Sequence, residues 1–300
     1  MNKMKPGAWF AVAVGIATAC FIAVKSHAAT PFPDTATERF GVTVTGSGPD
    51  VVLIPGLASS AATWDGTVAH LKAHYRLHVL SIAGFAGEPA GANAAGEVVA
   101  PTVEAIDAYI RASHLKPIVI GHSLGGTMGL MLAKAHPEDV ARLIIVDALP
   151  YAGVMFNPAA TVDIVKPYAA AMQSKIEAMS DDAFKTQETG TLARMVTAPA
   201  DVTLLAGWRA QSNRHAVAQS LYDDMVTDLR PDLANIQTPS VLLFPVDAAS
   251  GQDPAATAAF YKTQYAAMPH LTAVEIDNSR HFAMLDQPEA FAKALDGALN

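Results

Sequence analysis

With 300 residues, 51% of them hydrophobic, the chain is long enough to bury a core of its own, and its glycines and prolines are spread rather than gathered in a low-complexity tract. The formal net charge of −8 disfavours nucleic acid and anionic membrane surfaces as partners. No self-similarity with a fixed period of about 20 to 50 residues points to a repeat architecture.

The N-terminus has three parts. Lys3 and Lys5 make a basic start, residues 8–24 form an uncharged apolar run, and Ser26-His27-Ala28 puts small residues at positions −3 and −1 of a cleavage site. That layout predicts a secretory signal peptide over 1–28 and a secreted or periplasmic protein. The competing expectation is an uncleaved anchor, because a 17-residue apolar run is near the lower limit for a membrane span. Ile16-Ala17-Thr18-Ala19-Cys20 lacks the leucine of a lipoprotein signal. Cleavage after Ala28 leaves 17 basic against 28 acidic residues, a net charge of −11. It also removes the single cysteine, so stability rests on packing, and no stable membrane association is expected.

Residues 38–45 read as an extra N-terminal strand, antiparallel to the rest. Apolar, β-branched runs then recur at 51–54, 77–82, 118–120, 143–146, 241–244 and 272–276. Continuous apolar strands suit a sheet buried on both faces. Helical stretches at 62–73, 102–113, 124–135, 254–267 and 288–299 separate them. The fold class is therefore α/β, with a mostly parallel, doubly wound sheet. The alternation stops between Asp147 and Pro239, where helical patterns (169–179 and 215–229) occur without a strand. A structureless loop of that length is improbable, so 148–238 is expected to be an inserted helical cap between core segments 30–147 and 239–300. Its methionines, among them Met155, Met172 and Met225, are expected to serve core packing.

The segment Pro117-Ile118-Val119-Ile120-Gly121-His122-Ser123-Leu124-Gly125-Gly126 reads as strand, sharp turn and helix, with Gly-x-Ser-x-Gly at the turn. A serine at such a turn is exposed at a helix N-terminus, whose amides favour developing negative charge. Ser123 is thus the candidate nucleophile. Its general base should come late in the chain, and Asp277-Asn278-Ser279-Arg280-His281 supplies His281 after the last strand. His70, His74 and His78 are spaced by four, but the last falls in a strand, and no carboxylate or cysteine completes a ligand set. No metal and no cofactor is expected. The Gly/Ala-rich loop at 83–101 carries no phosphate-binding pattern. It is either a flank of the site, with Phe85 as a pocket wall, or plain surface.

These segments resemble the α/β-hydrolase superfamily over nearly the whole chain from about Phe40. Leu53-Ile54-Pro55-Gly56-Leu57 with Trp64 downstream, Asp228-Leu229-Arg230-Pro231 and the stretch from His281 to Pro288 support the resemblance beside the serine turn. It implies an oxyanion hole made by the amides of Leu57 and Leu124. Pro55 stands where the family usually has histidine, which leaves the amide in place and removes a side chain that braces the loop. The usual spacing for the triad acid lands on Ala248, which cannot serve. Asp247 lies one residue earlier and Asp253 further on, whereas a minority of the family places the acid at the end of the preceding strand, here Asp147. Asp147 ranks first, Asp247 second and Asp253 third. The implied function is hydrolysis of a carboxylic ester of a small-molecule acyl substrate. Lactonase, thioesterase, amidase and carbon–carbon bond hydrolase use the same triad, and a noncatalytic binding protein on the same fold is the rival class.

Overall fold

Successive residues of the central strands point to opposite faces, and both faces are apolar. In the computed structural model, Val52 and Ile54 join one buried cluster while Val51 and Leu53 join another. The structure describes residue 1 and residues 38–300 apart from 158, 187 and 188. The expected signal peptide and Cys20 lie outside them. No helix among the described residues is long and apolar enough to cross a membrane.

Seven strands form one sheet: β1 (Phe40–Gly46), β2 (Asp50–Ile54), β3 (Arg76–Ile82), β4 (Ile118–His122), β5 (Arg142–Val146), β6 (Ser240–Val246) and β7 (Leu271–Asp277). Their spatial order is β1-β3-β2-β4-β5-β6-β7. β1 pairs antiparallel with β3, and every other pairing is parallel. Between strands run α1 (Asp65–Leu71), α2 (Val99–Ala112) and α3 (Leu124–Ala135). α9 (Pro254–Gln264) connects β6 to β7, and α10 (Ala283–Asp286) and α11 (Pro288–Leu299) close the chain. Ile106 of α2, Met128 of α3 and Tyr261 of α9 cover one face of the sheet. Leu71 of α1 and Phe291 of α11 cover the other, with Trp64 between them. The sheet is thus doubly wound.

The stretch between β5 and β6 is helical. It holds α4 (Val162–Glu177), α5 (Asp181–Thr186), α6 (Thr189–Leu192), α7 (Pro199–Ala210) and α8 (Arg214–Val226). The two helical patterns picked out in the sequence fall in α4 and α8, and α5 to α7 lie between them. α4 and α8 pack around Val165, Ala169 and Met225, with Tyr151 beneath them. The methionine expectation holds for Met225, which is buried, and fails for Met155 and Met172, which are exposed. α8 is tied to the core by Asp223, whose Oδ2 accepts the Val98 and Val99 amides at 3.1 and 3.0 Å. A side chain of the insertion thereby satisfies the free amides at the start of α2.

Candidate active site

Ser123 follows β4 directly and stands as the N-cap of α3, with φ 53° and ψ −124°. Positive φ is costly for a residue with a Cβ, and the neighbours hold it there. The Ser123 amide donates to Val146 O at 2.9 Å, and its carbonyl accepts from the Gly126 and Thr127 amides at 2.7 and 3.1 Å. The turn closes only with glycines around it. A Cβ on Gly121 would lie 2.1 Å from Gly125 O, and one on Gly125 would lie 2.3 Å from Ile54 O. Ser123 Oγ has no hydrogen-bond partner among the described residues and is half-buried.

β5 lies beside β4, with Val146 opposite His122 in register, so the residue after β5 adjoins the serine turn. That residue is Asp147, itself at φ 44°. Its Oδ2 lies 2.7 Å from His281 Nδ1, and its Oδ1 accepts from the Tyr261 hydroxyl. Burial alone would raise the Asp147 pKa. The neighbouring His281 and the hydrogen bonds from His281 and Tyr261 outweigh it, and the carboxyl is held below its ordinary value. An ionised Asp147 fixes the His281 tautomer with hydrogen on Nδ1, which leaves Nε2 free to accept a proton. Burial and the adjacent carboxylate push the Tyr261 hydroxyl far up, so it remains a donor. Tyr261 is absent from the sequence reading because a tyrosine in the middle of an amphipathic helix carries no local mark of what its hydroxyl meets.

The two alternative acids do other work. Asp247 is buried, and its Oδ2 accepts from Arg280 Nε, in the residue before His281, at 2.7 Å. That hydrogen bond lowers its pKa against the opposing effect of burial. Arg280 in turn donates to the carbonyls of Ala193 and Val196 at 2.9 and 3.0 Å, tying the loop to the insertion. Asp253 caps α9, accepting the Ala255 amide at 2.9 Å. Neither is bonded to His281.

His122, the variable residue of the serine motif, is fully buried. Its Nε2 lies 2.8 Å from the His281 carbonyl oxygen and must donate, and the two rings are 4.6 Å apart. Burial first, and the nearby His281 second, hold it down at about 3, so the ring is neutral across the working range. This bond pins the segment carrying His281 to the residue preceding Ser123. Sequence reasoning passed over His122 as an unspecified motif position.

The loop after β2 meets the same turn, since a Cβ on Gly56 would lie 3.1 Å from Ser123 Cβ. The amides of Leu57 and Leu124 have no acceptor among the described residues. Leu124 follows Ser123 directly in the chain, and Leu57 follows Gly56. Phe85 is no pocket wall, because it is buried in the core cluster, whereas residues 87–97 of the same loop lie mostly at the surface. His78 is buried too, between Asp50 and the Tyr109 hydroxyl at 2.9 and 2.6 Å. Among the described residues, Asp107, His136 and Asp139 bring possible ligand atoms within 4.8 Å of one another. The group sits at the far end of α3 from Ser123, and Arg111 lies 3.6 Å from Asp107, which works against a cation there.

Comparison with known proteins agrees with this architecture. A pimeloyl-[acyl-carrier protein] methyl ester esterase of Aeromonas hydrophila subsp. hydrophila is 38% identical over 119 residues, 38% of this chain and 41% of that protein. The chain thus spans about two fifths of the length of that relative. The enzyme of the same name from Vibrio cholerae serotype O1 is 25% identical over 256 residues, 84% of this chain and 94% of the relative. A solved hydrolase of Pseudomonas aeruginosa PA01 superposes with a TM-score of 0.72 at 20% identity, covering 87% of this chain and 94% of that one, a likeness of fold. The model of the alpha/beta hydrolase family matches residues 51–294, from β2 through the serine turn and His281 into α11. With that match over most of the chain, on a doubly wound sheet interrupted by a helical insertion after β5, the protein belongs to the alpha/beta hydrolase family.

Proposed function

We propose that the protein is a serine hydrolase cleaving a carboxylic ester through an acyl-enzyme. The observation that carries this reading is the 2.7 Å contact of His281 Nδ1 with Asp147, in a segment held against the strained Ser123 turn. Ser123 Oγ attacks the ester carbonyl while His281 Nε2 takes its proton. Asp147 stabilises the imidazolium that forms, and the neutral His122 adds no competing positive charge. The oxyanion is held by the free amides of Leu57 and Leu124. Collapse expels the alcohol, which leaves with the proton from His281. Water activated by the same imidazole then attacks the acyl-serine and releases the acid.

The relatives are named for hydrolysis of a methyl ester on a pimeloyl-acyl-carrier protein. What this reading shares with them is ester hydrolysis, and the substrate proposed for this chain is a small acyl ester. Labelling with a fluorophosphonate and turnover of p-nitrophenyl esters test it. Ser123→Ala is expected to lose labelling and at least about 10⁴-fold in kcat while folding normally. Absence of labelling in the wild type would point instead to a binding protein on this fold.

We propose in addition that residues 1–28 direct export and are removed. The basic, apolar and small-residue parts described above support this. Intact mass of protein exported by a host with a general secretory pathway is expected to start near Ala29. A full-length chain in the membrane fraction would favour the anchor instead.

A further inference from the structure

α8 carries two adjacent acidic side chains with different surroundings. Asp223 is fully engaged. Its Oδ2 takes the two amides at the start of α2, and its Oδ1 accepts from Gln219 Nε2 at 2.7 Å. Asp224 points to α3 instead, where Thr127 Oγ1 donates to its Oδ1 at 2.9 Å. Thr127 is one helical turn beyond Ser123, and its amide bonds the Ser123 carbonyl. Asp224 therefore reaches the insertion-facing side of α3 next to the nucleophile.

The second oxygen of Asp224 accepts no hydrogen bond among the described residues, and no Lys or Arg among them pairs with the carboxyl. It is also not sealed off, since it is absent from the fully enclosed polar atoms that lack a partner. Burial pushes the group up to about 6, against the Thr127 hydrogen bond and the attraction of His281, with Asp223 adding repulsion. A tie between α8 and α3 alone needs only a neutral acceptor. An ionisable group with one oxygen left open beside the reacting serine is costly to the fold and is a candidate for contact with a ligand.

Resting on the serine-hydrolase reading above, we propose that Asp224 is a specificity-determining residue whose open carboxylate oxygen receives a cationic ammonium group carried by the ester substrate. The same charge disfavours substrates with a free carboxylate at that position. A cation so placed is attracted at short range in a site of low dielectric, and its neutral isostere is not.

Two isosteric pairs test this. Acetylcholine against 3,3-dimethylbutyl acetate places the cation on the alcohol side. The p-nitrophenyl ester of 4-(trimethylammonio)butanoate against that of 5,5-dimethylhexanoate places it on the acyl side. At pH 8 the cation-to-neutral ratio of kcat/KM is expected to reach about 10 or more in at least one pair and to fall to about 1 in Asp224→Asn. If that variant does not fold, the wild-type ratio between pH 5 and 8 gives the reading. It should rise as Asp224 ionises. His281 serves both members of a pair, so its part in catalysis cancels in the ratio, and Asp223 is committed to α2. A ratio of 1 or below in both pairs overturns the inference, as does a ratio that Asp224→Asn leaves unchanged. Failure of the wild type to hydrolyse even the neutral esters would overturn the hydrolase reading and this inference with it.

Discussion

Asp247 Oδ2 accepts from Arg280 Nε at 2.7 Å, and this pairing turns the carboxylate away from the histidine one residue further on. His281 is met by Asp147 instead. Asp147→Asn is therefore expected to lose about 10³-fold or more in kcat with the fold retained, because the wrong tautomer of His281 is then favoured. Asp247→Asn should stay within about 10-fold of wild type in kcat and lose stability. The Asp247 carboxyl is depressed in the folded state, so its contribution is present at neutral pH and lost as pH falls through the folded pKa. The melting-temperature gap between Asp247→Asn and wild type should accordingly close in acid. Steady-state kinetics beside melting curves at several pH values check both statements, and a reversed order of kcat losses would reassign the acid.

Tyr261→Phe removes the hydrogen bond to the Asp147 oxygen that does not face His281. An unsatisfied carboxylate oxygen in a buried site costs about 1 to 3 kcal/mol or more, and the carboxyl is then free to rotate out of line with the imidazole. The expected result is a loss of about 10-fold in kcat with KM little changed. A variant that loses only thermal stability would reduce Tyr261 to a packing residue.

Asp224 gives a stability signature that needs no substrate. Its folded pKa of about 6 lies well above the ordinary aspartate value of 3.8. Protonation is thus favoured by folding, and the contribution is fully present below about pH 4 and is lost as pH rises through about 6. Roughly two pKa units correspond to at most about 3 kcal/mol of destabilisation at pH 8. Asp224→Asn should melt progressively higher than wild type as pH goes from 4 to 7. A pH-independent difference in melting temperature would mean that the carboxyl is not perturbed as described.

Removal of divalent ions is expected to leave ester hydrolysis intact, since charge in the proposed mechanism is held by the Leu57 and Leu124 amides. Activity abolished by EDTA and restored by zinc or calcium would contradict that mechanism.

Local physics made much of this molecule readable. The apolar runs at 51–54, 118–120 and 143–146 are strands of a sheet covered on both faces, because each of their residues has a buried face to meet. The serine turn was legible for steric reasons, since Gly121 and Gly125 approach backbone atoms that no side chain would clear. The late histidine followed from its place after the last strand. Other features depend on neighbours far away in sequence. Asp147 meets His281 across 134 residues only because β5 lies between β4 and β6 in the sheet, and strand order leaves no mark in a run of apolar residues. Asp247 sits one residue from the customary position, and spacing alone could not tell that Arg280 would claim it. Tyr261 and Asp224 lie on helices whose apolar pattern governs how they pack and says nothing of which polar atom waits opposite. The sequence by itself determined the layers and the insertion through hydrophobic period, and marked the serine turn through the glycines that its close backbone approaches demand. Which carboxylate faces the histidine, what braces it, and which charge stands beside the nucleophile were decided only by the tertiary structure, because a hydrogen bond is directional over a few ångströms and its partners are brought together by the fold.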